Sequence, residues 1–146
     1  MKAFRKSAHI LAAGAVVCCL LTPATAFAAP LKLVAVLTGA GETAGGDPKA
    51  VGGFKVEMDP ETNDFCYSLW ADKGVKPTMA HVHSGAAASD GPPLATLDLT
   101  GKTNDACIAI DKVKLQPIAD NPALFYVNIH TAEFPKGAMR GQLVKE

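Results

Sequence analysis

The sequence has no excess of charge of either sign. Its 14 Lys and Arg are matched by 14 Asp and Glu, which excludes the strongly basic footprint of a nucleic-acid binder. Signatures of catalysis are equally scarce. There is no Gly-x-Ser-x-Gly nucleophile elbow. No glycine-rich loop stands ahead of a helix to cradle phosphate, and Gly39-x-Gly41 and Gly45-Gly46 read as turn glycines. Glu57, Glu61 and Asp64 read as solvated loop charges rather than a paired acid and base. There is no Asn-x-Ser/Thr sequon and no Cys-x-x-Cys. Past the N-terminus, no apolar run reaches the roughly 20 residues that a transmembrane helix requires. With 146 residues, the chain is sized for one domain.

What is present begins with an export signature. Lys2, Arg5 and Lys6 form a positive start, Ile10 to Leu21 an uncharged and mostly apolar run, and Pro23 a break. Ala26-Phe27-Ala28 then supplies the small-x-small pattern of a cleavage site. Residues 1–28 are therefore expected to be a secretory signal, with 29–146 as the mature domain. Cleavage after Ala26 fits the same rule. Val17 precedes Cys18, where a lipoprotein site needs a small residue, so lipidation is not expected. Loss of the signal removes three basic residues and leaves a net charge of −3. The expected location is the periplasm or the medium, with no membrane span after cleavage.

Two cysteines survive cleavage, Cys66 and Cys107. An even number in an exported chain reads as a disulfide, closing a loop of about 40 residues worth roughly 4 kcal/mol in the chain-entropy account. Two free thiols in a redox or metal site are the competing reading.

Thirteen Gly and ten Pro argue for many turns and few long helices. Short alternating runs follow one another: Leu31 to Leu37, Ala50 to Asp59, Asp64 to Ala71, Thr78 to His83, Leu94 to Leu99, Ala106 to Ile110, Leu124 to His130 and Ala138 to Val144. Gly52-Gly53 suggests a bulge or a close approach. Asp111 to Ala119 reads as a short helix or an irregular crossover. The expected fold is all-β: an antiparallel β-sandwich or Greek-key barrel of about seven or eight short strands, with at most one short helix.

Three histidines remain in the mature chain: His81, His83 and His130. Alternation along a strand puts His81 and His83 on one face, with Ala80 and Val82 on the other. By the same rule, Asn128 and His130 lie opposite Val127 and Ile129. If the two strands are neighbours, three imidazoles and an amide meet on one patch. Three neutral imidazoles with an open position suit zinc or copper. Met79 shares the face and offers a thioether, and Asp90 and Glu133 are candidates for a fourth ligand or an outer contact. The plainer reading has the imidazoles bonding loop carbonyls.

Two blocks occur in a specific order. One is Ala80-His81-Val82-His83-Ser84-Gly85, followed by Gly91-Pro92. The other is Tyr126-Val127-Asn128-Ile129-His130-Thr131, followed by Pro135-Lys136-Gly137 and Arg140-Gly141-Gln142-Leu143. Together with Gly52-Gly53-Phe54-Lys55-Val56 and Cys66-Tyr67-Ser68-Leu69, they closely resemble the CHRD domain, over about Leu31 to Val144. The resemblance implies an all-β domain and no established reaction. The chain departs from it at Ala138, where the family usually has an acid, and at Pro93, where it often has an aliphatic residue. Read on their own, Gly85, Gly91 and Pro92 shape the loop after the His strand. Pro135 and Gly137 turn the chain back, and Arg140 is a loop clamp on carbonyls or Glu133. The functional expectation is a monomeric, non-catalytic binding or structural module for an unidentified extracytoplasmic protein or surface. The alternative is a copper or zinc protein using His81, His83 and His130, with superoxide-dismutase-like or other redox chemistry by fold-level analogy.

Overall fold

Alternation of apolar and polar side chains builds the first three strands of the computed structural model, which describes residues 29–99 and 106–146. The expected signal segment, residues 1–28, lies outside the described residues. Strand β1 (Leu31–Thr38) turns Leu33, Ala35 and Leu37 inward. Strand β2 (Val51–Asp59) contributes Phe54, Val56 and Met58, and β3 (Asp64–Ala71) contributes Phe65, Tyr67 and Leu69. The tight β2–β3 turn puts Asn63 in the left-handed region, at φ 65°, a conformation that asparagine tolerates better than most residues.

The remaining strands are β4 (Pro77–Ser84), β5 (Pro93–Leu97), β6 (Ala106–Ala109), β7 (Phe125–Thr131), β8 (Met139–Gln142) and β9 (Val144–Lys145). One helix, α1 (Lys112–Asp120), follows β6. The described strands form one sheet in the order β5-β4-β7-β8-β1-β2-β3-β6, with β9 also paired to β1. Every pairing is antiparallel. The sheet curls so that its two ends approach. Tyr67 of β3 donates its hydroxyl proton to the carbonyl of Asp98, just past β5, at 3.1 Å. Leu115 and Ile118 of α1 join the core that the concave face encloses. Each fully buried aliphatic or aromatic side chain there contributes about 1.5–3 kcal/mol.

The all-β expectation with one short helix holds, as a single curled sheet of nine strands among the described residues. The segment from Asp111 forms the helix even with Pro117 inside it. The last expected strand divides at Leu143: its amide donates to Phe125 O, and Val144 then pairs with Val34 of β1. Gly52 and Gly53 mark no bulge, since both registers run unbroken through them. The Trp70 indole lies over Gly53, in the space a side chain would take. Cys66 and Cys107, register partners on β3 and β6, are joined by a disulfide.

Candidate metal centre

The sheet makes β4 and β7 neighbours. In register, Met79 faces His130, His81 faces Asn128, and His83 faces Tyr126. Ala80, Val82, Val127 and Ile129 are fully buried in the core. Alternation therefore sends the three histidines to the other face of the sheet. One nitrogen from each of His81, His83 and His130 lies within 4.8 Å of the others.

Backbone carbonyls set the tautomers of two of these rings. His83 Nδ1 is 2.8 Å from Gly91 O, and His130 Nδ1 is 3.1 Å from Pro135 O. A carbonyl only accepts, so each Nδ1 carries a proton, and in the neutral ring the lone pair is on Nε2. His130 Nε2 lies 3.0 Å from His81 Nδ1, whose N–H donates to it. Moving the His81 proton to its Nε2 frees a second lone pair 3.0 Å from that of His130, and a shared ion requires both rings to turn off their common axis. His83 Nε2 is buried with no hydrogen-bond partner. Burial lowers the basicity of His81, and the neighbouring His130 and His83 lower it further. Burial likewise lowers that of His130, against the opposing effect of the Pro135 carbonyl. Both shifts favour the neutral form that binds metals.

A clamp closes the outer side. Tyr126 stacks on His83 with ring centroids 4.9 Å apart, and the Arg140 guanidinium sits 4.6 Å from the Tyr126 centroid. Arg140 is buried. Its Nε donates to Gly41 O at 2.7 Å, Nη1 to Ser89 O at 3.0 Å, and Nη2 to Asp90 Oδ1 at 3.0 Å. The carbonyl clamp expected of Arg140 is present, but its acids are Glu42, at 3.4 Å, and Asp90 rather than the exposed Glu133. Asp90 also accepts from the Thr43 hydroxyl, and that bond is the largest influence holding its carboxyl below the usual range.

Glu42 escaped the sequence reading. Burial pushes its carboxyl up to about 6, against the opposing charge of Arg140. The one available signal was a lone acid in the glycine-rich run from Thr38 to Gly46. Its carboxylate packs where a side chain on Gly137, at φ 142°, would stand. Gly85 adopts φ 152°, and a side chain on Gly91 would collide with Ser84 O. Gln142 Nε2 donates to the carbonyls of Gly85, Ala123 and Phe125. Thr131 Oγ1 accepts from the amide of Phe134. Asn128 is buried with Oδ1 unpartnered.

No curated protein and no solved structure matches the chain. The sequence model of the CHRD domain matches residues 33–143, a span that holds the three histidines, both cysteines and the Arg140 clamp. The chain belongs to the CHRD domain family.

Proposed function

We propose that the protein is an exported, non-enzymatic metal-binding domain, with copper or zinc held by His81, His83 and His130. The observation that carries this reading is the partnerless, buried Nε2 of His83. A buried acceptor without a partner costs about 1–3 kcal/mol, and a bound cation removes that cost. The carbonyls of Gly91 and Pro135 act as the outer contacts that orient ligating imidazoles. A purely architectural role accounts for the two Nδ1–carbonyl bonds and the His81–His130 hydrogen bond but leaves His83 Nε2 without a purpose. Three nitrogen donors leave a fourth position open. Export is supported by the signal-like N-terminus and the disulfide.

Elemental analysis of untagged protein, recovered from the periplasm or medium without chelators, tests the reading. About one copper or zinc per chain is expected. The His81→Ala/His83→Ala/His130→Ala variant is expected to hold none while keeping its disulfide and β-sheet circular dichroism. Wild-type protein that holds no metal and takes up none on titration overturns the proposal.

A further inference from the structure

We infer that the centre selects copper in its cuprous state and that Met79 is the donor responsible; the inference rests on the metal reading of the three histidines. Met79 lies two residues before His81 on β4, and hence on the same face. It is also the register partner of His130. Directly opposed residues of an antiparallel pair have Cβ atoms about 4.5–5.5 Å apart, and the unbranched methionine side chain can span that gap. Met79 is 47% exposed, whereas His130 is 8% exposed. Met79 is thus the more solvent-open member of this register pair.

The thioether is the one soft donor beside a neutral set. Among the described residues, no carboxylate or thiolate joins the three nitrogens. The nearest acid in the clamp, Asp90, is engaged by Thr43 and Arg140. Every available donor is therefore neutral. Three neutral imidazoles hold zinc(II) as well, so the histidines alone admit both ions and the thioether decides between them. Among biological metals, the monocation that favours thioether and imidazole is copper(I).

The test compares wild type with Met79→Leu, a swap at a half-exposed position that keeps volume and removes sulfur. Copper(I) affinity is measured anaerobically against a chromophoric cuprous chelator, and zinc(II) affinity against a zinc indicator. X-ray absorption at the copper edge reads the donor atoms. In the variant, copper(I) affinity is expected to fall on the order of ten- to a hundredfold, zinc(II) affinity to stay unchanged, and a sulfur scatterer to disappear. Equal copper(I) affinities, or nitrogen scatterers alone in wild type, overturn the inference while leaving the histidine centre standing. A wild-type chain that binds neither metal, or binding that survives loss of all three histidines, overturns both.

Discussion

His83 points Nδ1 at the carbonyl of Gly91, 2.8 Å away, and leaves its Nε2 buried without a partner. One bond thus fixes the ring and ties the loop from Gly85 to Pro92 to the histidine cluster. The same loop is held from its other side by Arg140, through Ser89 and Asp90. Anything that binds at His83 Nε2 therefore meets a ring that is already aimed.

Replacing His83 with Phe separates ligation from architecture. The ring still stacks on Tyr126, but both nitrogens go. Losing the Gly91 bond costs about 1 kcal/mol, and deleting an unsatisfied buried acceptor recovers about 1–3 kcal/mol. The metal-free variant is expected to match or exceed wild type in urea unfolding, while metal affinity falls by at least a hundredfold. A loss of more than about 2 kcal/mol in unfolding, with metal uptake intact, would make the ring a structural prop.

Glu42 predicts a pH dependence of stability. Its carboxyl is raised from 4.5 to about 6 because burial disfavours the charged form. The folded chain therefore holds that proton more tightly than the unfolded chain does. The stability this contributes is complete below pH 4.5 and is lost as pH rises through about 6. The shift corresponds to about 2 kcal/mol. His81 and His130 act in the opposite sense. Their lowered basicity contributes stability above pH 6.5 that is lost as pH falls. The difference between wild type and Glu42→Gln isolates the carboxyl. Wild type should lose ground to the variant between pH 4.5 and 6.5 and hold a constant gap above that. A gap independent of pH would mean that burial does not raise the Glu42 carboxyl above its value in the unfolded chain.

The disulfide and the metal centre should be separable. Cys66 and Cys107 lie 41 residues apart and tie edge strand β6 to β3, whereas the histidines sit on β4 and β7. The Cys66→Ala/Cys107→Ala variant should lose about 4 kcal/mol of stability and keep wild-type metal stoichiometry in native buffer. Loss of metal from a variant that remains folded would show that the two regions are coupled.

Local patterns in the sequence reached some of this and not the rest. Alternation placed His81 with His83 and Asn128 with His130, because side-chain direction along a strand depends only on neighbouring residues. It could not show that β4 pairs with β7, since that contact joins residues nearly fifty positions apart. One curled sheet and a two-sheet sandwich have the same alternation within each strand, so the choice between them was open. Leu143 kept the inward pattern from Met139 onward and hid the break between β8 and β9. Arg140 was readable as a clamp, but its acid partner Glu42 lies 98 positions away on a glycine-rich loop. Nothing local marks that side chain as buried.

The most direct measurement of the central claim is anomalous diffraction at the copper edge from crystals grown with one equivalent of copper. The account predicts a single strong peak about 2 Å from each of His81 Nδ1, His83 Nε2 and His130 Nε2, with the His81–His130 hydrogen bond replaced by two metal bonds. No peak there, with His81 Nδ1 still donating to His130 Nε2 and His83 Nε2 still unpartnered, would contradict it.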